Sequence, residues 1–242
     1  MNNTENTMSL LELFNMGGVF MWPLLVFSMA AVAIAIERAV FIFRHNLSLD
    51  KIEKSTLECI KNGDMDGAVL YLQKQTSSFL GARVLLAMVK NYKLPLEHIR
   101  QLTGAEAASC INALEKGFNF LTALGSLSPL TGFLGTVSGM IGAFKSIAEA
   151  TEVNAQIVAN GIYEALITTV FGLIIAIIAM IAHSILSHVV DTFASEIDIL
   201  CPVLLAEIAA HKTAQKTAHK STYKTKHKTT HKPDPGGRGE TP

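Results

Sequence analysis

Three long apolar runs divide the chain, and polar segments with helical patterns lie between them. The runs cover residues 19–43, 118–144 and 162–186. Each exceeds the roughly 20 residues that a helix needs to cross the hydrocarbon core of a bilayer. The third run has no Asp, Glu, Lys or Arg between Ala165 and Ala182, which is typical of a membrane-spanning core. The pattern predicts an all-α membrane protein with three transmembrane helices.

The polar segment between the first two runs, residues 44–117, is patterned for helices. Asn62-Gly63-Asp64 combines a helix stop with a new N-cap, and Pro95 marks the start of a last helix that leads into the second run. The segment lacks the period-two alternation of strands. We therefore predict a helical domain here, with long helical extensions of the second and third spans. In the first span, Glu37 and Arg38 lie near the inner end, where we expect them to reach headgroups or water.

Basic residues predict the orientation of the spans. The first 22 residues contain no Lys or Arg, and residues 145–161 contain only Lys145, whereas ten lie from Arg44 to Lys116 and eight follow Asp191. Cytoplasmic loops of membrane proteins are enriched in Lys and Arg. We expect the N-terminus and the short linker outside, and the long loop and C-terminus inside. The absence of Lys and Arg from the start also argues against a cleavable signal peptide.

Composition excludes several classes of function. Only 17% of the residues are charged and the formal net charge is zero, so charge predicts no nucleic-acid partner. The three cysteines, Cys59, Cys110 and Cys201, are far apart and show no metal-ligand spacing. Nucleotide-binding and catalytic motifs are missing from the sequence. We expect a non-enzyme without cofactor or metal.

The last segment is polar, and lysines recur in it at every fourth residue. The repeated positions are Lys212, Lys216, Lys220, Lys224, Lys228 and Lys232. One interpretation is contact with anionic lipid, worth about 1 kcal/mol per lysine near a membrane surface. The other is a disordered, solvated tail from His211 onward.

Small residues mark one face of the second run. Gly132, Gly135, Gly139 and Gly142 are spaced 3, 4 and 3 residues apart, so they share a helix face. Small residues allow helix backbones to approach closely in lipid. We expect these glycines to pack against another helix.

The start of the third run, "GIYEALITTVFG" at 161–172, carries polar groups. Glu164 and Thr168 lie one turn apart on one face, and Thr169 flanks it. A carboxylate at the centre of a membrane costs roughly 2.5–3.5 kcal/mol or more, so we expect Glu164 to face a protein interior or a wet cavity. Threonine hydroxyls can extend such a polar path. The alternatives are an interfacial carboxylate and hydroxyls that bond to the preceding helical turn.

The segments "GSLSPLTGFLGTVSGMIGAF" (125–144) and "GIYEALITTVFGLIIAI" (161–177) resemble the paired signature of the MotA/TolQ/ExbB proton channel family. The resemblance covers about residues 10–195 and is nearest to ExbB-type members. It implies that Thr136, Glu164 and Thr169 line a polar interior, and it matches Pro129 to the proline of the second span. Thr168 joins this set through its place on the same helix face as Glu164. The chain departs from the family pattern in its Lys/His tail and in Ser128, where an alanine is common.

The resemblance also implies an assembly. It predicts a homo-pentamer in a bacterial inner membrane around two copies of a single-span partner of the ExbD/TolR type, which supplies the proton-carrying aspartate, and a TonB-like protein that receives the work.

The segments are then a periplasmic N-terminus that is either an interfacial helix or a disordered lead-in (1–18), span one (19–43), a cytoplasmic helical domain (44–117), span two (118–144), a periplasmic linker (145–161), span three (162–186), a cytoplasmic helical extension (187–210) and a Lys/His-rich tail (211–242). The alternatives are a TolQ-like motor for envelope maintenance and a membrane scaffold or signalling assembly with the same architecture.

Overall fold

The chain is helical through the residues that the structure describes. The computed structural model describes residues 14–149 and 155–229, with the backbone alone at 155, 157, 158 and 215–229. The helices are α1 (Met21–Arg44), α2 (Asp50–Lys61), α3 (Met65–Gln75), α4 (Leu80–Lys90), α5 (Leu96–Glu115), α6 (Phe118–Glu149) and α7 (Ala155–Thr229). Three regions, Met21–Arg44, Leu96–Glu149 and Ala159–Ala214, are long and apolar enough to cross a membrane. The prediction of an all-α membrane protein with three spans is confirmed.

Two compact units divide the chain. The first comprises residues 1–46 and 111–193 and holds the three predicted spans; the second comprises residues 47–110 and 194–242. Helices α2 to α4 and most of α5 belong to the second unit, together with the end of α7.

The first unit has a small apolar core and a large exposed apolar surface. Met21 and Leu24 of α1 are buried in one cluster with Ile167 and Ile175 of α7. Bulky apolar side chains on the opposite faces of the spans stay exposed, among them Trp22, Met29, Phe43, Phe133, Ile141, Leu166 and Ile177. Water disfavours so large an apolar surface, whereas lipid or a partner helix accepts it.

The position of Arg38 differs from our expectation that its side chain reaches headgroups or water. The residue is only 8% exposed. Its Nη1 lies 3.4 Å from the carbonyl oxygen of Ala113, in the last turn of α5, and the guanidinium lies 5.3 Å from the centre of the Phe41 ring. It also pairs with Glu37. A cation at a helix C-terminus satisfies carbonyls that have no partner within the helix.

A glycine ends α5 at this point. Gly117 has φ +97°, and a Cβ there would lie 3.7 Å from Cδ of Arg38. The left-handed conformation stops the helix before α6 begins at Phe118, as glycine at a helix C-terminus commonly does.

The second unit confirms the predicted stop and N-cap at residues 62–64. Gly63 has φ +77°, its N–H donates to Ile60, and the N–H of Asp64 donates to Cys59. These two bonds form a Schellman motif. The Asp64 carboxylate then accepts from the N–H of Gly67 at 2.8 Å and caps α3. Local side-chain chemistry therefore sets this corner. The predicted start of a helix after Pro95 is also confirmed.

The helices on either side of the predicted linker extend further than the sequence indicates. α6 continues to Glu149 and α7 starts at Ala155. The predicted linker, 145–161, is therefore helical over most of its length; residues 150–154 lie outside the described residues, as does most of the 1–18 segment. α7 also continues to Thr229, so the structure shows a helix where the sequence favoured disorder from His211.

We expect Arg38→Met to destabilise the protein by about 1–2 kcal/mol, because the change removes the cation at the end of α5 and keeps most of the side-chain volume. Thermal unfolding of the purified protein in detergent would measure the loss. Arg44→Met, at an exposed position in the last turn of α1, is the matched control. Equal melting temperatures for the two variants would contradict the role of Arg38.

Candidate functional site

Helices α6 and α7 touch through their backbones. A Cβ at Gly132 would lie 2.8 Å from the carbonyl oxygen of Thr168, and one at Gly172 would lie 2.6 Å from the carbonyl oxygen of Ser128. A Cβ at Gly139 would lie 3.2 Å from the carbonyl oxygen of Gly161. At Gly132 and Gly172 a larger residue does not fit without a backbone shift, whereas at Gly139 the neighbouring atoms would have to move by a few tenths of an ångström. Within this chain, Gly132 and Gly139 therefore pack against α7.

Gly135 supports the same contact through a side chain. A Cβ at this position would lie 2.5 Å from Oγ1 of Thr168. Thr168 is 1% exposed, and its hydroxyl donates to the carbonyl of Ala165 at 2.8 Å, with the carbonyl of Gly132 at 3.3 Å. Within this chain, Thr168 therefore lies in the contact between α6 and α7, where its hydroxyl bonds to carbonyls of both helices. Its role in lining a lumen stays a prediction.

Gly142 differs from the other three glycines within this chain, and its packing against another helix stays a prediction. No atom lies within 4 Å of the position of a Cβ at Gly142 within the described part of the chain. The 3-4-3 spacing places it on the same face, but at this turn α7 lies against Ala143, since a Cβ at Gly161 would lie 2.6 Å from Cβ of Ala143. Pro129 is only half-buried, while its neighbour Ser128 is fully buried and donates to the carbonyl of Leu124 at 2.6 Å. Ser128, rather than Pro129, therefore makes the contact with Gly172 of α7.

Glu164 opens into a polar cavity of about 320 Å³. Its walls come from the turn before α1, from small residues of α6 and from the start of α7; the lining residues are Gly17, Val19, Phe20, Gly135, Ser138, Gly139, Gly142, Ala143, Ser146, Gly161 and Glu164. Among the described residues the carboxylate of Glu164 has neither an ion pair nor a hydrogen bond. The sequence expectation that this acid faces a cavity agrees with this geometry.

The two remaining predicted residues, Thr136 and Thr169, do not line this cavity. Thr136 is half-buried, and its hydroxyl donates to the carbonyl of Phe133 at 2.6 Å. The hydroxyl of Thr169 lies 3.3 Å from the carbonyl of Gly132. A single chain therefore does not bring Thr136, Glu164 and Thr169 to one surface. Their common role in lining a lumen stays a prediction.

Sequence reasoning missed the turn at Gly17 and Gly18, which forms part of the cavity wall. Gly18 has φ +67°, and a Cβ on it would overlap the carboxylate of Glu164. The available signal was the Gly-Gly pair directly before the first apolar run, since adjacent glycines commonly mark a turn.

The first residues of the Lys/His segment make contacts within the second unit. Nζ of Lys212 donates to the carbonyl of Leu94, and the ring of His211 lies against Gly63. The contact of Lys212 with lipid stays a prediction. Lys216, Lys220, Lys224 and Lys228 lie on the described backbone of α7, and Lys232 lies outside the described residues.

A second, apolar cavity of about 760 Å³ lies within the second unit, lined by α5 and the end of α7. Cys201 lines it, and burial raises the pKa of this thiol to about 11, with a smaller contribution from the carboxylate of Asp198. The thiol is therefore protonated near neutral pH and is a poor nucleophile. The part of the chain that the structure describes also holds no group of three or more His, Cys, Asp or Glu residues suited to a metal.

Comparison with known proteins connects this geometry to a family. The model of the MotA/TolQ/ExbB proton channel family matches residues 75–199. Biopolymer transport protein ExbB-like 3 of Synechocystis sp. is 36% identical over 169 residues, which cover 68% of this chain and 79% of that protein. ExbB of Salmonella typhimurium is 32% identical over 116 residues, covering 46% and 48%. The Tol-Pal system protein TolQ of Haemophilus influenzae is 44% identical over 77 residues, covering 32% and 34%.

The contact between α6 and α7 predicts a contrast among glycine variants. Gly132→Ala and Gly135→Ala should each destabilise the protein by about 1–3 kcal/mol, because a methyl group would overpack a helix contact. Gly142→Ala should be neutral or slightly stabilising, because its Cβ has room and alanine favours helix. Unfolding in detergent, followed by circular dichroism, measures all three. Destabilisation by Gly142→Ala equal to that by Gly132→Ala would contradict the contact described here.

Proposed function

This chain belongs to the MotA/TolQ/ExbB proton channel family, and we propose that it is the multi-span subunit of a proton-driven, energy-transducing complex of the ExbB–ExbD–TonB type. In this proposal, protons that move down their gradient drive a motion inside the membrane, and the work powers transport across an outer membrane. One charge that crosses 100 mV releases about 2.3 kcal/mol, so several protons can drive a large movement.

The observation that carries the proposal is the position of Glu164. The carboxylate lies in the membrane-spanning part of the first unit, faces a polar cavity and has no charged partner among the described residues. Ionisable groups inside a membrane are costly and normally serve transport, proton relay or partner binding. An acid with access to a wet cavity can gain and lose a proton, whereas a salt-bridged acid is held in its charged form.

The predicted second and third spans contain too few titratable groups for a proton relay, so the proposal requires a partner. The predicted spans 118–144 and 162–186 contain one carboxylate, Glu164, near the outer end. A proton relay needs a second titratable group near the middle of the membrane. We propose that a single-span partner of the ExbD/TolR type supplies it as an aspartate, and that the exposed apolar faces of the spans contact lipid and neighbouring copies.

The proposed assembly is a homo-pentamer around two copies of that partner, with a TonB-like protein receiving the work. The chain lies in a bacterial inner membrane with its N-terminus in the periplasm and its C-terminus in the cytoplasm; the distribution of basic residues supports this orientation. In the pentamer, Thr136 and Thr169 would line the lumen together with Glu164.

We favour an ExbB-type function, in which the work powers transport across an outer membrane, over a TolQ-type function in envelope maintenance. The ExbB-like relative matches over about twice as much of this chain as the TolQ relative does. The match to TolQ is confined to a shorter part of the chain, so it supports the common motor architecture more than a common load.

We expect Glu164→Gln to reduce proton uptake at least about tenfold, because the amide cannot exchange a proton. Uptake would be measured in proteoliposomes that contain the chain together with its single-span partner, under an imposed membrane potential. Glu149→Gln is the control, since Glu149 is an exposed acid at the end of α6 whose partner is Lys145. Unchanged uptake in Glu164→Gln would refute the proposal; loss of assembly would show a structural role instead.

The proposed assembly predicts that the chain, extracted in detergent, co-purifies with a single-span membrane protein whose span contains an aspartate. Mass measurement of the intact complex should give five copies of this chain and two of the partner, as the family resemblance implies. Thr136→Val and Thr169→Val should preserve the complex and lower proton uptake, and Thr131→Val is the matched control because its hydroxyl bonds to the preceding turn at Leu127. A monomeric chain without partner would contradict the proposal.

A further inference from the structure

A backbone turn lies directly against the carboxylate of Glu164. Gly18 precedes α1 and has φ +67°, a conformation that favours glycine. A Cβ on Gly18 would overlap Oε1 of Glu164 and would lie 2.9 Å from its Cδ. The space that a side chain would fill at residue 18 is therefore filled by the carboxylate.

The turn is held in place by its own contacts. The N–H of Gly17 donates to the carbonyl of Phe14 at 3.3 Å, and the N–H of Met21 donates to the carbonyl of Gly18 at 3.2 Å. The Phe14 ring meets Trp22 edge-on at 5.6 Å and packs on the core cluster that includes Met21. The turn is therefore fixed to the start of α1 and to the apolar core of the first unit.

The opposite wall of the cavity is made of small residues. Gly135, Gly139 and Gly142 of α6 line it together with Ser138 and Ser146, and among the described residues neither serine hydroxyl bonds to the carboxylate. A glutamate side chain has several rotatable bonds, and without a hydrogen bond only packing can fix its position. The Gly18 turn is the contact that provides this packing.

We propose that Gly18 is a positioning residue for Glu164: the bare backbone of the Gly17–Gly18 turn holds the carboxylate at the cavity in the place from which it exchanges protons. This inference rests on the proposed function of Glu164. It assigns to the segment before the first span a role in proton transfer, in addition to any contact with the membrane surface.

The test is a set of variants in the same proteoliposomes of chain and single-span partner. Gly18→Ala should reduce proton uptake about tenfold, because small displacements of a reacting group are costly. Glu164→Asp is one methylene shorter and leaves room for the new Cβ. The double variant Gly18→Ala/Glu164→Asp should therefore match Glu164→Asp alone. Gly18→Ala should also add no loss to Glu164→Gln. Gly104→Ala, in a helix position with nothing within 4 Å of its Cβ, controls for the substitution itself.

Each outcome separates the two proposals. Full uptake in Gly18→Ala with loss in Glu164→Gln overturns the positioning role and leaves the proposed function standing. Full uptake in Glu164→Gln overturns both. A loss in Gly18→Ala that Glu164→Asp does not relieve shows strain at φ +67° rather than contact with the acid, and also overturns the inference. If Gly18→Ala fails to assemble, assembly is compared in place of uptake. Assembly of the double variant then supports contact between residue 18 and the acid, and its failure to assemble overturns the inference.

Discussion

The close approach of α6 and α7 is the constraint on which the rest of the first unit depends. Glycines on both helices bring backbone against backbone, and a methyl group at Gly132 or Gly172 would collide with a carbonyl oxygen. This distance brings the hydroxyls of Thr168 and Thr169 within reach of the carbonyl of Gly132. Small residues of α6, namely Gly135, Ser138, Gly139 and Gly142, also line a polar cavity beside this contact, and Glu164 lines the same cavity.

Several polar groups in the first unit follow one physical rule. Hydrocarbon offers no hydrogen bonds, so hydroxyls there bond to carbonyls of the same or a facing helix. Ser128, Thr136 and Thr168 follow this rule. Arg38 follows it as well, through the end of α5 and through Glu37. The carboxylate of Glu164 has no such partner among the described residues. The proposed function assigns proton transfer to this acid.

Local chemistry of the helices was largely readable from the sequence. The Schellman turn at Gly63, the Asp64 cap and the start after Pro95 follow from residues that act on their immediate neighbours. The spans follow from composition over about 20 residues, which is why their number was predicted correctly. Helices α6 and α7 extend past the predicted spans, because apolar content marks where a helix can enter lipid, while the helix itself continues through polar residues such as Lys145 and Glu149. The same distinction explains why the Lys/His segment is helical to Thr229.

The sequence by itself determined an all-helical chain with three spans, a face of glycines, and an acid that has to be sheltered from lipid, because each of these depends on residue type and spacing along one helix. The tertiary structure decided which of these residues meet. It placed Thr168 inside the contact and not in the cavity, left Gly142 open, buried Arg38 at the end of α5, and laid the Gly18 turn on Glu164. Helical periodicity fixes the direction of a side chain about its own axis. It does not fix the distance to a neighbouring helix or the path of a turn, and those two quantities determine every contact of Glu164.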